Sequence, residues 1–271
     1  MGVLAVKLLL APSFVVGASL ATRRFGARIG GLIAGLPVVA GPIVLVYALA
    51  HGRRFAAGAA AGTLLGLISL IAFVVVYARL AEKRSWLTSM LAGWAAFAAA
   101  TAGFSLVSLP AGAALALAAV AIAGGLLALP RGPQQPAPQG RPPVWDLPLR
   151  AGCALVLVLT LTAVAGWLGS QLSGLLAPFP IIATVLAVFT HLQRGSDELV
   201  RLLRGLVSGF GAFALFFFTL AVSLPALSTI ASFSLATAVA VLTQGLLIVG
   251  TRVNGAVRDG RLAPELAAGE S

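Results

Sequence analysis

The sequence predicts an all-α, polytopic membrane protein with about nine transmembrane helices, arranged as an inverted 4+1+4 repeat. The 271-residue chain is 60% hydrophobic and 9% charged, with a mean hydropathy of +1.05, whereas soluble domains carry about 25% charged residues. Several apolar runs reach about 20 residues, the length that crosses a hydrocarbon core. The chain also matches itself without a gap when it is shifted by 143 positions.

Nine apolar segments are predicted as spans one to nine. They run over 3–22, 29–50, 55–79, 86–108, 111–129, 149–168, 172–192, 199–223 and 226–250. Between spans five and six, RGPQQPAPQGRPPVWD indicates a solvated linker with extended backbone. The predicted units are a first four-helix repeat (1–109), a linker helix with its Pro-rich loop (110–148), a second, inverted four-helix repeat (149–251) and a tail (252–271).

The basic residues lie mostly on one side of this arrangement. Three lie after each of spans one, three, five, seven and nine, and the remaining three of the 18 are Lys7, Arg53 and Arg54. The positive-inside rule then predicts an outside N-terminus and a cytoplasmic C-terminus. Residue usage indicates a bacterial source, and hence the inner membrane. Because the charges sit in short loops, the net charge of +11 does not predict nucleic-acid binding.

The evidence for the repeat is a set of glycine and proline pairs that all match at the same shift of 143 positions. They include Gly26 with Gly169, Gly31 with Gly174, Pro37 with Pro180, Gly52 with Gly195, Gly62 with Gly205 and Gly66 with Gly209. Spans one to four then correspond to spans six to nine. Because five spans separate each pair, and five is odd, the second repeat is predicted upside down relative to the first, as in many secondary transporters.

The segment SGLLAPFPIIATVLAVFTHLQRGSDELVRLLRG resembles the GlpM-like family of small bacterial membrane proteins of about four spans. The family pattern AGL…P-x-F-P maps to Ser173–Pro180, and the charged residue and glycine of its next loop map to Arg194 and Gly195. The first half, RIGGLIAGLPVVAGP, has a weaker version with Gly35 and Leu36 at the equivalent positions. The family implies no settled biochemistry. The layout is also similar in architecture to the drug/metabolite transporter superfamily, which is a weak basis for function.

Prolines interrupt spans two and seven near mid-membrane, where each removes a backbone donor. Discontinuous helices at the midplane are where secondary transporters bind substrate, whereas a plain kink that serves packing is the alternative.

Lys7 and Arg150 are repeat mates that either snorkel to headgroups or attract an anionic substrate. Polar side chains of span seven either face substrate or bond to their own helix. The predicted substrate site comprises Gly35, Pro37, Gly41, Pro42, Gln171, Ser173, Pro178, Pro180, Thr184, Lys7 and Arg150.

All acidic residues are predicted outside the spans, which argues against a proton-coupled exporter with a carboxylate at membrane depth. No nucleophile–base pair, phosphate loop or metal-ligand spacing appears, so we expect no enzyme activity, cofactor or metal. The sequence favours a secondary transporter or exporter of a small apolar or anionic molecule, surrounded by membrane lipid, as a monomer or homodimer. The alternatives are a non-transporting subunit or scaffold of an envelope assembly, and a channel.

Overall fold

Helices make up nearly all of the chain that the structure, a computed structural model, describes. The described backbone covers residues 2–130, 145–165 and 177–258, and the described side chains cover 12–130, 145–156 and 177–251. Within these ranges there are nine helices and no strand, which confirms the all-α prediction there. The helices are α1 (Gly2–Phe25), α2 (Ala27–Ala34), α3 (Ala40–His51), α4 (Arg53–Ala81), α5 (Trp86–Ser105), α6 (Ala111–Ala128), α7 (Asp146–Ala165), α8 (Ile181–Ser223) and α9 (Thr229–Arg258).

Five of these helices are long and apolar enough to cross a membrane, namely α4, α5, α6, α8 and residues Thr229–Thr251 of α9. Helices α2 and α3 together occupy the predicted span two, and α8 covers most of span seven and all of span eight. The described fold is therefore consistent with a helical membrane protein. The count of nine spans stays a prediction.

Glycines with positive φ mark two equivalent boundaries. Gly52 (φ 87°, ψ 165°) separates α3 from α4, and Gly195 (φ 79°, ψ 179°) breaks the helical dihedrals inside α8. A side chain at either position would be strained. Gly195 follows Gly52 by 143 positions, the interval of the sequence repeat. Local structure therefore recurs at this interval.

The hydrogen bond that caps the start of α5 is repeated at the start of α9, at the same interval. The Ser85 hydroxyl accepts a hydrogen bond from the Thr88 backbone N–H, and the Ser228 hydroxyl accepts one from that of Ala231. A serine that accepts from a residue three positions later is a standard helix N-cap. Trp86 and Thr229, which begin the two helices, are again 143 positions apart.

Helices α4 and α8 form the centre of the bundle. Two-thirds (67%) of the most apolar window of each is buried, compared with 22% in α5 and 17% in α6 and α9. The outer helices expose large apolar side chains, including Leu127, Ile230 and Leu246. An apolar outer surface around a packed centre is what lipid contact requires.

Four glycines let α2 and α8 approach each other closely. A Cβ atom at Gly31 would overlap the Leu202 carbonyl, and one at Gly35 would lie 2.8 Å from the Gly209 carbonyl carbon. Gly205 and Gly209 of α8 are equally crowded by α2 backbone. Pairs of small residues four positions apart are the usual means of close helix packing in membranes.

This contact predicts a difference between two glycine substitutions of the same size. Gly31→Leu should lower the melting temperature of the detergent-solubilised protein by several degrees, because overpacking costs about 1–3 kcal/mol. Gly245→Leu is the control, since Gly245 is exposed on α9 with no atom within 4 Å of its Cβ position. Equal melting temperatures for the two variants would show that the close approach of α2 and α8 is wrong.

Candidate functional site

A tight turn at Pro37 interrupts span two between α2 and α3. The backbone N–H of Val38 donates to the Leu36 carbonyl over 2.9 Å, and that of Gly41 donates to the Pro37 carbonyl over 2.8 Å. Pro37 itself has no N–H to donate, so the chain leaves one helix and starts another. Gly35 and Pro37 are both buried.

A turn with the same hydrogen bonds precedes α8. The Ile181 N–H donates to the Phe179 carbonyl over 2.7 Å, and the Thr184 N–H donates to the Pro180 carbonyl over 2.8 Å. Pro180 has φ −74° and ψ 48°, close to an inverse γ-turn. Each of the four residues lies 143 positions after its counterpart in span two. The break at Pro37 therefore exists, and the turn at Pro180 has the same local structure, although the residues before Ala177 lie outside the described part of the chain.

The Leu32 carbonyl of α2, which accepts from the Gly35 backbone N–H over 3.1 Å, also accepts from a partner outside its own helix. The Gln244 side-chain amide, which is 5% exposed on α9, donates to this carbonyl over 2.5 Å. Backbone groups in an apolar interior need such partners. Gln244 was absent from the predicted site, although an amide within an apolar span was the signal that could have indicated it.

Aromatic rings of α5 enclose the second break. The Trp94 indole N–H donates to the Thr184 hydroxyl over 3.0 Å. The rings of Trp94 and Phe97 lie 5.9 Å and 5.4 Å from the ring of Phe179, measured between centroids. Thr184 was among the predicted residues. Trp94 was not, because tryptophan usually marks membrane interfaces rather than helix centres.

The buried residues Asp146 and Arg150 form a polar group with the half-buried Arg23 and the exposed Gln193, called here the Asp146 cluster. The Arg23 guanidinium lies 2.6 Å from one carboxylate oxygen of Asp146, and Arg150 Nε lies 3.0 Å from both oxygens. Gln193 donates to Asp146 over 2.5 Å and accepts from Arg150 over 3.2 Å. The cluster thereby ties together α1, α7 and α8.

The single carboxylate of the Asp146 cluster pairs with two guanidinium groups. Asp146 precedes the predicted span six and is 1% exposed, while Arg150 is 6% exposed. Burial raises the pKa of Asp146, but hydrogen bonds from Gln193 and Arg23 and the charge of Arg150 outweigh it and hold that pKa below its ordinary value. Arg150 thus lies in a buried ion pair and also stacks over the Phe189 ring at 4.8 Å.

Two acidic residues that the sequence placed in loops lie in helices. Asp146 begins α7, and Glu198 lies within α8, 3% exposed and 2.7 Å from the Arg201 guanidinium. Their basic partners follow four and three positions later, respectively. This spacing places the two side chains on one helix face, so it was a signal in the sequence for paired, buried carboxylates.

Further contacts join helix ends that the sequence predicts on the same side of the membrane. The Arg79 guanidinium donates to the Ala128 carbonyl over 2.9 Å, and that of Arg204 donates to the Leu129 carbonyl over 3.0 Å. These cations also lie near the negative, C-terminal end of the α6 dipole, which is a favourable interaction. On the other predicted face, the Arg53 guanidinium donates to the Leu227 carbonyl over 2.6 Å.

A cavity of about 400 Å³ lies between α4 and α5. Its described lining includes Arg54, Gly58, Gly62, Phe104 and Leu109. None of the predicted substrate residues is part of that described lining. The cavity between Pro37 and Pro180 that a midplane site would use is therefore not the one found here.

The predicted residues divide into three sets. The residues around the two breaks lie in the bundle, with Gly41 beneath Phe216 and Pro42 half-buried. Arg150 belongs to the Asp146 cluster, and Phe189 beneath it lies about 13 Å along α8 from Pro180. Gln171, Ser173 and the side chain of Lys7 lie outside the described residues.

No family model, curated protein or solved structure matches this chain.

The Asp146 cluster predicts a pH-dependent stability. Asp146→Asn should lower the stability at about pH 7 by about 3 kcal/mol, because it leaves the buried Arg150 and the half-buried Arg23 without a counter-charge. A lowered pKa gives stability that is present above the unfolded value of about 4 and lost as pH falls through the folded value. The difference between wild type and variant, measured by thermal melting, should therefore shrink on acidification. Glu82→Gln, at an exposed site, is the control, and an equally large loss there would contradict the assignment.

Proposed function

We propose that this chain is a secondary transporter of the bacterial inner membrane, built as an inverted 4+1+4 repeat. It moves a small molecule by alternating access around the two proline breaks. The observation that carries the proposal is the recurrence of one helix break, with the same pair of backbone hydrogen bonds, at Pro37 and Pro180. Helices broken at matching depths in two repeats are the usual frame of a transporter's substrate site.

Contacts just before and just after the part of α8 that follows Gly195 support the inversion. Gln193 bonds to Asp146 near Arg23 and Arg150, called here the arginine-rich end, whereas the Leu227 carbonyl accepts from Arg53, next to the end of α3. Between these two contacts, residues 196–223 form a helix of about 42 Å. The segment 181–194 and α3 thus lead towards opposite ends of the molecule, as an inverted repeat requires.

The Asp146 cluster supports a conformation closed at the arginine-rich end. It joins α1 and α7, one from each proposed repeat, to the segment 181–194 through buried and part-buried hydrogen bonds to the Asp146 carboxylate. Such a group is stable when paired and costly when one partner is removed. In the proposed cycle the cluster separates when the site opens to the cytoplasm and re-forms when it opens to the outside.

The surroundings of the second break favour an apolar substrate over an anionic one. Three aromatic rings and one hydroxyl, that of Thr184, meet there. Arg150 is 6% exposed and paired with Asp146, so its guanidinium is not open to an anion in this conformation. The substrate class proposed is therefore a small, largely apolar molecule with one hydrogen-bonding group.

A non-transporting membrane subunit is the second candidate, and a specific observation favours it. The first break is packed tightly, with Gly35 against Gly209 and Phe216 over Gly41. A rigid scaffold needs such packing, whereas a transporter must be able to release it. The resemblance to the GlpM-like family, which we keep as a hypothesis, fits both candidates because that family implies no activity.

Accessibility of Thr184 distinguishes the two candidates. In a Cys153→Ala background, Thr184→Cys should react with a membrane-impermeant maleimide from each side of the membrane in turn, because alternating access exposes the second break to both. Ala187→Cys, three residues further along α8 and fully buried, is the control and should stay unlabelled. Thr184→Cys that never reacts from either side would favour the scaffold.

Transport itself is tested with the purified protein in liposomes and a panel of small apolar and anionic metabolites. We expect accumulation of an apolar member, reduced about fivefold by Trp94→Phe, which keeps the ring but removes a hydrogen bond worth about 1 kcal/mol. No movement of any panel member would count against the proposal.

A further inference from the structure

We infer that the cavity between α4 and α5 is the entrance to a second substrate site, in which the hydroxyls of Ser69 and Thr101 bind the polar group of a neutral molecule. The substrate passes this site on its way from the predicted outer face to the turn at Pro180. The inference rests on the proposed transporter function, and it deepens that proposal by naming an entry route and the chemistry of the polar group.

The cavity opens at the end of the molecule that the sequence predicts to be outside. Two exposed residues of its described lining, Arg54 and Ser108, lie at the start of α4 and just after the end of α5. The buried Leu65 lines it three turns further along α4. In the proposed cycle the outer end is open while the Asp146 cluster is formed, and the position of the cavity fits that state.

One face of α5 continues from the cavity into the bundle. The buried residues of α5 are four positions apart and so form a single stripe, which consists of Ser89, Gly93, Phe97 and Thr101. Phe104, which lines the cavity, follows Thr101 by less than one turn. On the other side of Thr101, the Phe97 ring packs against Phe179, next to the second break. Thr101 therefore lies between the cavity and the second break.

A row of residues on α4 faces this stripe. A Cβ atom at Gly93 would lie 2.8 Å from the Phe73 ring, which fixes the level at which the two antiparallel helices meet. One turn from this contact along each helix, Ser69 lies level with Phe97. The next turn of the same α4 row is Leu65, which lines the cavity. Ser69 therefore lies one turn below the cavity, on the side of the second break.

Both hydroxyls are buried without a hydrogen-bond partner among the described residues. Ser69 is 0% exposed and Thr101 is 5% exposed. By contrast, Thr63 on α4 and Ser89 on α5 each bond to the carbonyl four positions earlier, as hydroxyls in helices commonly do. A buried polar atom with no partner costs free energy. A ligand that bonds to Ser69 and Thr101 removes this cost.

The chemistry of the route favours a neutral substrate. A hydroxyl both donates and accepts a hydrogen bond, so the pair suits an alcohol, a ketone or an amide. The facing stretches 62–78 of α4 and 86–108 of α5 contain no charged residue, so an anion beyond the mouth of the cavity finds no counter-charge on them. The substrate class is therefore a small, largely apolar alcohol or carbonyl compound.

Cysteine accessibility tests the route without any substrate. In a Cys153→Ala background, Thr101→Cys should react with a small, membrane-impermeant thiol reagent added outside, because the cavity ends less than one turn from it. Ser89→Cys is the matched control, since it replaces a buried hydroxyl of the same stripe about 18 Å nearer the predicted cytoplasmic end, and it should stay unlabelled.

A second substitution ties this labelling to the cavity. Gly62 lines the cavity, and a Cβ atom there meets no described atom within 4 Å, so Gly62→Leu fills the space and should abolish the labelling of Thr101→Cys. Gly245→Leu, at an exposed site on α9, should leave it unchanged. Equal behaviour of Thr101→Cys and Ser89→Cys, or labelling that Gly62→Leu does not reduce, would overturn the route.

Ligand protection tests the chemistry of the site. Ala61 lines the cavity one turn from Leu65, and Ala61→Cys in the Cys153→Ala background reports on its occupancy. Cyclohexanol, a neutral alcohol, should protect this cysteine from the thiol reagent, whereas cyclohexanecarboxylate should not. Thr101→Val keeps the shape but removes the hydroxyl. It should raise the cyclohexanol concentration for half protection about fivefold, because one hydrogen bond is worth about 1 kcal/mol.

Ser89→Ala, which removes a hydroxyl from the same stripe outside the route, is the control and should leave cyclohexanol protection unchanged. The assignment is wrong if cyclohexanol gives no protection, if the carboxylate protects better, or if Thr101→Val leaves the protection as it was. Neither the accessibility nor the protection experiment measures transport, so failure of this site and failure of the proposed function are distinguished.

Discussion

Every backbone group inside an apolar bundle needs a hydrogen-bond partner, and the structure around both proline breaks depends on this constraint. A proline in mid-helix removes one donor and displaces a carbonyl. Here the turns at Pro37 and Pro180 supply local hydrogen bonds, and Gln244 adds a bond to the nearby Leu32 carbonyl. Close glycine contacts between α2 and α8 then exclude water from the first break. The breaks persist because their surroundings supply these partners.

The same requirement governs charge at the arginine-rich end. Asp146 is almost fully buried, and it is tolerated because two arginines and a glutamine bond to it. In the proposed transport cycle, separating this group costs free energy, which substrate binding or new contacts in the other conformation have to offset. The Asp146 cluster is connected to the second turn through the chain, because the helical segment that follows Pro180 carries Gln193, which bonds to Asp146.

Much of the helical framework was predictable from the sequence, because apolar run length, proline and glycine act locally. The break at Pro37, the positive φ at Gly52 and Gly195 and the starts of α5 and α9 all follow from short-range signals. The contacts that define the site were not predictable. Gln244 and Leu32 are 212 positions apart, and Arg23 and Asp146 are 123 apart. Such pairs depend on how the helices pack, which hydropathy does not encode.

The central claim, that two equivalent repeats lie in opposite orientations, is tested most directly by the sidedness of one matched pair of positions. Phe25 follows span one and is 48% exposed, and Leu168 lies 143 positions later. With Phe25→Cys and Leu168→Cys placed singly in a Cys153→Ala background, an impermeant maleimide should label the first only from the cytoplasm and the second only from outside. Labelling of both from the same side would contradict the inverted repeat.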